Sequence, residues 1–392
     1  MILKNLSISK GPKTILKEIS FELEKGLMLI YGKSGSGKSS LMVSIAGLHE
    51  FFGIKRSGEV HSDCSIQFED TENQIIGHKV ADELTLSEID PKYLKLLGLE
   101  GYEEREIHTL SGGELKKLCI AEALSKEKRD LILDDPESHL DPESLEELLR
   151  ILSDLSKERA ILVLTRRPDL YDLSRIYKIS GYRIKEVENK FKFKIPKMRS
   201  GKDVIIRGER IFFSYGDNTI FRNLNFEFKK GTNLVTGKNG SGKTTLLKIL
   251  AGLLEYRGKI YYDSNKRISY VHQFPDRIFF HKFVWEEAKN ALGEKYREIL
   301  EIFCIDPKKE IKDLNRAKKA LLAIACSFSA DIVCLDEPSS SLDIESLEIL
   351  LSAFQAVNKD YIIATNDRTL IKCLEEANFY KIERGKIYEG KD

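Results

Sequence analysis

The sequence lacks the long apolar segments of a membrane-spanning chain. No uninterrupted apolar run reaches the roughly 18 residues that a transmembrane helix requires, and the N-terminus shows no charged stretch followed by an apolar one. We therefore expect a cytoplasmic protein that does not itself cross a bilayer. A role at a membrane would need a partner.

A surplus of charge is also absent, because 63 basic residues balance 62 acidic ones. The net charge of +1 predicts no general attraction to nucleic acid or to anionic lipid. Cysteine is sparse and forms no CxxC pair or His-rich cluster, which predicts reduced core thiols and argues against a cysteine metal site. The six cysteines, five of which lie in apolar patterns, are Cys64, Cys119, Cys304, Cys326, Cys334 and Cys373.

The strongest motif is GKNGSGKTT at 237–245, which follows an apolar run and precedes a helical pattern. Glycines allow a backbone to wrap around phosphates, and the N–H groups of such a loop face the anion together with the next helix N-terminus. Lys243 is expected to reach the terminal phosphates and Thr244 to bind Mg²⁺. A chance glycine-rich turn does not account for the whole pattern. The ATP-binding residues predicted here are Gly237, Asn239, Gly240, Ser241, Gly242, Lys243, Thr244 and Thr245.

The same loop occurs earlier as GKSGSGKSS at 32–40, and the same offset relates 14–26 to 219–231. A repeat of this length is a whole domain, so the chain is predicted to be a tandem of two similar domains. The ATP-binding residues predicted in the first loop are Gly32, Gly35, Ser36, Gly37, Lys38, Ser39 and Ser40.

We expect the first domain at 1–188 and the second at 204–392. The stretch between them, 189–203, is rich in Lys and Arg and is interpreted as a linker, with a membrane-surface patch as the alternative. Alternating apolar patterns open each domain, short helices are predicted at about 80–105, and buried strands such as 160–165 follow. This order predicts an α/β fold with a β-rich N-terminal subdomain and a small helical subdomain in each domain.

The segment LSGGE at 110–114 resembles the signature of the ATP-binding subunits of ABC-type ATPases, and the resemblance covers essentially both halves. In that family two P-loop nucleotide domains pack head to tail, with ATP between the phosphate loop of one and the signature of the other. The segments at 68–76 and 272–280 are similar to a segment of energy-coupling factor transporters, which import vitamins and metal ions. The resemblance therefore implies an ATPase that energises an importer.

The resemblance implies that the site on the second loop is competent. Tyr215 would stack on adenine, and Glu337 would be the general base for the water that attacks the γ-phosphate. Asn366 stands at the switch position, where the family has histidine. The implied metal residues are Thr244, Gln273 and Asp336, with Gln273 also in the catalytic set, and the facing signature is Ser111, Gly112, Gly113 and Glu114.

The other site departs from the family pattern. Its adenine, Q-loop, Walker B glutamate and switch positions hold Lys10, Glu69, Asp135 and Arg166, and its facing signature is LNRAK, with Asn315, Arg316 and Ala317 in place of the serine and both glycines. A shifted loop could restore Gln67 to the Q-loop position. Lys38, Ser39 and Asp134 survive, with Ser39 and Asp134 as the implied metal residues, so ATP with Mg²⁺ could bind there without turnover.

The implied function is an ATP-hydrolysing translocase subunit, peripheral on the inner face of the cell membrane, for import of a vitamin, metal ion or other small solute. Its partners would be a T-like and a substrate-binding membrane subunit. One alternative is a soluble ABC ATPase acting on ribosomes or nucleic acid, against which the charge balance and the short linker argue. Another is a nucleotide switch with little turnover, because Asn366 replaces the histidine.

Two further patterns have two interpretations each. Asp141 and Asp343 match a loop that crosses between the sites in the family, and they are also suited to cap the helices that follow. An apolar run would be either a surface for a membrane partner or the core of the helical subdomain. It consists of Ile278, Phe279, Phe280, Phe283, Val284 and Trp285.

Overall fold

A computed structural model describes the chain except for residues 72–73, 127, 139, 174–175, 189–190, 192, 194–195, 197–199, 274–277 and 391–392. The chain divides into two compact units, Met1–Phe191 and Lys192–Asp392. Most of the predicted linker and part of the 272–280 segment lie outside the described residues, and the predicted domain limits stay predictions. Within the described part of the chain, no helix is long and apolar enough to cross a membrane.

The first unit contains two sheets. An antiparallel sheet in the order β2-β1-β4 precedes a largely parallel one in the order β5-β6-β7-β3-β8-β9, whose last pair is antiparallel. The strands are β1 Ile2–Lys10, β2 Lys13–Glu22, β3 Gly26–Tyr31, β4 Ile54–His61, β5 Cys64–Gln67, β6 Asp130–Asp134, β7 Ala160–Thr165, β8 Ile176–Ser180 and β9 Arg183–Val187. The helices are α1 Lys38–Ile45, α2 Val80–Leu86, α3 Pro91–Leu96, α4 Gly112–Ser125 and α5 Pro142–Leu155.

The second unit repeats this order, but its strand β11 is long enough to belong to both the antiparallel and the parallel pairings. Its first part pairs antiparallel with β10, and its last residues pair in parallel with β15 and β16. The strands are β10 Ser200–Tyr215, β11 Asn218–Thr236, β12 Arg257–Tyr262, β13 Ile268–Val271, β14 Ile332–Asp336, β15 Asp360–Ala364, β16 Asn378–Glu383 and β17 Lys386–Glu389. The helices are α6 Lys243–Leu250, α7 Val284–Leu292, α8 Tyr296–Ile302, α9 Arg316–Ser327, α10 Ile344–Ala356 and α11 Arg368–Cys373.

The central strands explain why the nucleotide loops sit where they do. Every residue of β6, β7 and β14 is buried, as expected of parallel strands whose two faces are both covered. The carboxyl ends of these strands lie at one edge of each sheet, where the phosphate loops also begin. The structure thus confirms the predicted α/β fold with two P-loop domains in tandem.

The cysteine prediction is only partly right. All six thiols are free, and Cys119, Cys334 and Cys373 are buried, whereas Cys64 and Cys326 are half-buried. Cys304 is exposed, contrary to the prediction, because it adopts a left-handed backbone conformation with φ of 51° just after α8 and leaves Phe303 to fill the core.

Candidate functional site

The second phosphate loop connects β11 to α6 and needs its glycines. Gly240 and Gly242 have φ of 78° and 106°, a left-handed region that other residues rarely adopt. A Cβ atom at Gly237 would lie 2.4 Å from the carbonyl oxygen of Ile382, so only glycine fits. The Nζ atom of Lys243 donates to the Gly237 carbonyl oxygen at 2.6 Å, which curls the lysine over its own loop.

The first loop has the same geometry. Gly35 and Gly37 have φ of 79° and 103°, and the Lys38 Nζ atom donates to the Gly32 carbonyl oxygen at 2.9 Å. The other predicted phosphate-binding residues lie in the two loops or in the first turn of the following helix; they are Ser36, Ser39, Ser40, Asn239, Ser241, Thr244 and Thr245.

The loops contain polar atoms that suit a phosphate. The hydroxyl oxygens of Ser36 and Ser241 are buried and lack a hydrogen-bond partner among the described residues. A buried polar atom without a partner is costly, and a bound anion would satisfy it. The loops of both units therefore fit a nucleotide phosphate chain.

In the second unit, Asp336 and Glu337 stand at the carboxyl end of β14. Glu337 has φ of 44°, and its Oε2 atom accepts hydrogen bonds from Thr365 Oγ1 at 3.0 Å and from the Asn366 N–H at 3.3 Å. Burial raises the pKa of Glu337 to about 7, although nearby Lys243 opposes the shift. A carboxylate with a pKa near the working pH is suited to general-base work.

Asn366 connects this carboxylate to the phosphate loop. Its Oδ1 atom accepts a hydrogen bond from the Gly237 N–H at 3.2 Å, while its own N–H reaches Glu337.

Gln273 follows β13, and its carbonyl oxygen accepts from Ser340 Oγ at 3.4 Å. Tyr215 ends β10, is 47% exposed and makes a T-shaped contact with Phe213, with the two ring centroids 4.7 Å apart.

The first unit has the same backbone at Asp135, with φ of 45°, but different contacts. The guanidinium of Arg166 pairs with Asp135 through Nε at 2.9 Å and with Glu69 through Nη2 at 2.9 Å. The Arg166 N–H also donates to Asp135 Oδ1 at 2.8 Å. An ion-pair cluster thus stands where the second unit has Glu337 and Asn366. Gln67 does not replace Glu69, because its side chain is fully buried within β5.

Glu137 is a buried acid that the sequence interpretation missed. Its carboxylate accepts a hydrogen bond from Thr165 Oγ1 and another from the Tyr171 hydroxyl at 2.7 Å. Burial, and next the charge of Asp135, raise the pKa of Glu137 to about 7. The available signal was the extra acid in DDPES, where the second unit has Ser339.

Lys116 is a second missed residue. It is fully buried in α4, and its Nζ atom donates to the carbonyl oxygens of Glu69 at 2.8 Å and Phe68 at 3.3 Å. The lysine therefore connects the segment after β5 to α4, the helix that begins within LSGGE. Two consecutive lysines follow the signature, and the sequence does not indicate which of the two side chains turns inward.

The predicted metal residues also fit a divalent cation. In each unit the Walker B aspartate, Asp134 or Asp336, has a buried Oδ1 atom without a hydrogen-bond partner in the described part of the chain. Carboxylate and hydroxyl oxygens are the ligands that Mg²⁺ prefers, and it usually keeps substrate phosphates in its shell. Burial, and next Asp135, raise the pKa of Asp134 to about 7. Bound Mg²⁺ would supply charge neutralisation for the phosphates.

The two signature segments are both helix N-termini. Ser111 caps α4, and Glu114 accepts from the Ser111 N–H at 2.7 Å while pairing with Arg105. Ser111 and Gly112 are exposed and Gly113 is buried.

The second signature is built alike, because Asn315 caps α9 by accepting from the Lys318 N–H at 2.9 Å. Ala317 is fully buried, as Gly113 is in the first signature, so its methyl group does not lie on the surface. Asn315 and Arg316 are the residues that change this surface. Asp141 and Asp343 cap α5 and α10, which confirms the capping interpretation for both.

The apolar run after Gln273 is split between surface and core. Val284 is fully buried, while Ile278, Phe280 and Trp285, which we call the exposed apolar set, are 42%, 90% and 40% exposed. Glu287 fixes the backbone beside them, because its Oε2 atom accepts from the N–H groups of Phe280 and His281, each at 2.9 Å.

The first unit has a matching arrangement. Ile76 is 72% exposed, and Glu83 Oε2 accepts from the N–H groups of Ile76 at 2.9 Å and Gly77 at 2.7 Å. In both units, a glutamate therefore binds the backbone of a residue whose apolar side chain is exposed to solvent.

Comparison with known proteins gives consistent results. A family model described as ABC transporter matches residues 16–138 and 221–340, together more than half of the chain. A putative ABC transporter ATP-binding protein of Methanosarcina mazei is 26% identical over 469 residues, covering 99% of this chain and 94% of that protein. A putative HMP/thiamine import ATP-binding protein of Bacillus subtilis is 25% identical, covering 98% and 90%.

Two solved structures share the fold. RNase-L inhibitor superposes with a TM-score of 0.76 at 22% identity, covering 97% of this chain and 89% of that one. An archaeal ribosome recycling factor, solved with the ribosomal stalk protein aP1, gives a TM-score of 0.77 at 22% identity, covering 98% and 89%. At this identity the likeness concerns the fold.

Proposed function

The chain belongs to the ABC transporter family, and from that membership we propose that it is the ATPase subunit that energises a membrane importer. Membership makes it an ATP-binding, ATP-hydrolysing protein, and ABC ATPases use Mg²⁺ with the nucleotide. The proposal extends this to import of a vitamin, metal ion or other small solute, with the chain peripheral on the inner face of the membrane.

We assign hydrolysis to the second phosphate loop. Lys243 would hold the terminal phosphates, and Glu337 would take the proton of the attacking water, since its pKa is near neutral and its carboxylate is oriented by Thr365 and Asn366. Asn366 would contact the γ-phosphate with its amide. Asp336 and Thr244 would hold Mg²⁺.

We assign nucleotide binding without hydrolysis to the first phosphate loop. Asp135 is one methylene shorter than glutamate, and it is already engaged by Arg166 on both the backbone and the side chain. A base held in an ion pair is a poor proton acceptor, and a displacement of about 1 Å in a catalytic group can cost on the order of a hundredfold in rate. Lys38, Ser39 and Asp134 retain what nucleotide binding requires.

The structural observation that carries the proposal of a membrane partner is the exposed apolar set. Phe280 is 90% exposed although large apolar side chains usually avoid water, and Glu287 holds its backbone in a fixed position. Apolar side chains displayed on a rigid backbone are typical of a protein interface. The relative named as an import ATP-binding protein supports the same reading. We propose that the partners are transmembrane subunits.

A second candidate is an ATPase that acts on ribosomes. It is favoured by the fold likeness to the archaeal ribosome recycling factor, which was solved with a ribosomal stalk protein. The import proposal is preferred because the net charge of +1 offers no general attraction to RNA.

One fractionation separates the two candidates. A tagged chain, expressed at its native level in its own host, is purified from detergent-solubilised membranes and, separately, from a ribosome pellet. We expect wild type to co-purify with integral membrane proteins and Phe280→Asp to lose them. Recovery with ribosomes, unaffected by Phe280→Asp, would support the second candidate instead.

A further inference from the structure

Tyr270 is a residue of β13 that contacts the Walker B aspartate. Its hydroxyl group donates a hydrogen bond to Oδ2 of Asp336 at 3.1 Å. A tyrosine hydroxyl keeps its proton at neutral pH, so it is the donor to the carboxylate. The other oxygen of the same carboxylate, Oδ1, is buried and has no hydrogen-bond partner among the described residues.

The first unit lacks this tyrosine. β13 pairs with β14 so that Tyr270 lies opposite Cys334, and β5 pairs with β6 so that Ile66 lies opposite Ile132. Ile66 therefore stands in the position of Tyr270, and its apolar side chain cannot donate a hydrogen bond.

The aspartate of the first unit takes a different partner. Oδ2 of Asp134 accepts a hydrogen bond from Ser39 Oγ at 2.6 Å. The two predicted metal residues of the first unit are therefore hydrogen-bonded to each other. In the second unit, Tyr270 is the side-chain partner of Asp336 within the described residues, and Thr244 makes no such bond to the aspartate.

The difference matters for a cation. In the first unit, the Ser39 hydroxyl orients Asp134 through this bond, and the serine oxygen keeps lone pairs for a cation. In the second unit, Tyr270 holds one oxygen of Asp336, while the other oxygen has no partner among the described residues, as in Asp134; the tyrosine therefore orients the carboxylate in advance. A group that orients a metal ligand is typically worth about 10- to 100-fold in metal affinity or activity.

We propose that Tyr270 is a positioning residue that orients Asp336 toward Mg²⁺ bound with nucleotide at the second phosphate loop, the role that Ser39 has toward Asp134 in the first unit. The inference rests on the proposed assignment of Asp336 to Mg²⁺. It adds a residue on β13 to the site, at the strand that leads directly to Gln273.

The test measures binding in the full-length chain. Glu337→Gln prevents turnover and Lys38→Ala weakens the first loop, so binding of a fluorescent ATP analogue reports on the second loop. Mg²⁺ is titrated at a fixed analogue concentration with and without Tyr270→Phe. We expect the Mg²⁺ concentration at half-saturation to rise about 10- to 100-fold, while binding of the analogue without Mg²⁺ stays unchanged.

Tyr262→Phe is the matched control, because this tyrosine is 45% exposed on β12 and lies outside the site. Tyr270→Phe keeps the ring, and thermal melts of each variant check that the fold is retained. The inference is overturned if Tyr270→Phe leaves the Mg²⁺ midpoint unchanged, if Tyr262→Phe shifts it equally, or if the analogue binds less well without Mg²⁺. In those cases, full inactivation by Glu337→Gln would still leave the proposed function standing.

Discussion

The Nε atom of Arg166 lies 2.9 Å from Oδ2 of Asp135, the residue that the first unit has in place of Glu337. Both side chains are buried, at 7% and 3% exposure. The arginine also reaches Glu69, so a single guanidinium neutralises two acids that flank the first phosphate loop. The first unit therefore has a structural ion-pair cluster at the place where the second unit has its candidate base.

The cluster predicts a large loss of stability when the arginine is removed. Arg166→Ala leaves Asp135 charged and buried without its partner, and breaking such a pair typically costs about 3–5 kcal/mol. We expect urea unfolding of the nucleotide-free chain to show an early transition for this variant. Arg183→Ala is the control, because its pair with Glu18 is exposed and such pairs are worth about 0–1 kcal/mol. Equal shifts for the two variants would contradict the cluster's structural role.

Only the first signature is intact, which predicts that substitutions at the two helix-cap residues, Ser111 and Asn315, affect ATPase activity unequally. The resemblance implies that Ser111 serves the ATP site on the second loop, and on that proposal Ser111→Arg should abolish hydrolysis while ATP binding stays measurable. Asn315→Arg removes the same kind of helix cap, worth about 1 kcal/mol, and should leave most of the ATPase activity. Steady-state ATPase assays and nucleotide-binding titrations of both variants check this. Equal damage from both would show that the assignment of signature to site is wrong.

The raised pKa of Glu337 predicts an unusual effect on stability. The folded pKa is about 7 against an ordinary value of 4.5, so the unfolded chain loses this proton first and stability falls as pH rises through that window. Glu337→Gln removes the penalty and keeps an acceptor for Thr365. We expect the nucleotide-free variant to be more stable than wild type at pH 8, by up to about 3 kcal/mol, and nearly equal near pH 4, below the ordinary pKa.

Thermal melts at both pH values measure this difference. Glu104→Gln, at an exposed acid, should change the melting temperature equally little at both. A Glu337→Gln protein that is less stable than wild type at pH 8 would show that the charged carboxylate is favourable in the fold.

The local motifs could be read from the sequence, and the contacts between distant segments could not. The phosphate loops are contiguous, and glycine spacing fixes their backbone, so Gly237 and Lys243 were predictable. The pairing of Arg166 with Glu69 joins residues that follow two separate strands, β7 and β5, and only the sheet order brings them together.

The same holds for polar residues that turn inward, one fully buried and one half-buried. Lys116 and Tyr270 lie in patterns that read as ordinary helix and strand, and the direction of one long side chain depends on packing that periodicity does not encode. Cys304 shows the reverse case, because a left-handed turn placed an apolar-looking residue in solvent.

The exposed apolar set predicts a change in tryptophan emission. Trp285 is the only tryptophan and is 40% exposed, so its emission should be quenchable in the isolated chain and should shift to shorter wavelength when the membrane partners are added. Phe280→Asp should uncouple transport and leave basal ATPase activity unchanged. Tyr388→Asp, at a 52% exposed residue on β17, should leave coupling intact. A partner-independent emission spectrum together with normal transport by Phe280→Asp would contradict the docking role.

The central claim is that one phosphate loop carries the hydrolysis, and paired ATPase measurements test it most directly. We predict that Glu337→Gln lowers the ATPase rate of the full chain by at least about a hundredfold, the usual scale for a general base. Asp135→Asn, and Asp135→Glu as the variant that keeps the Arg166 ion pair, should retain most of the wild-type rate. Melting curves confirm that each protein is folded. Equal losses from Glu337→Gln and Asp135→Asn in folded proteins would contradict a single hydrolytic site.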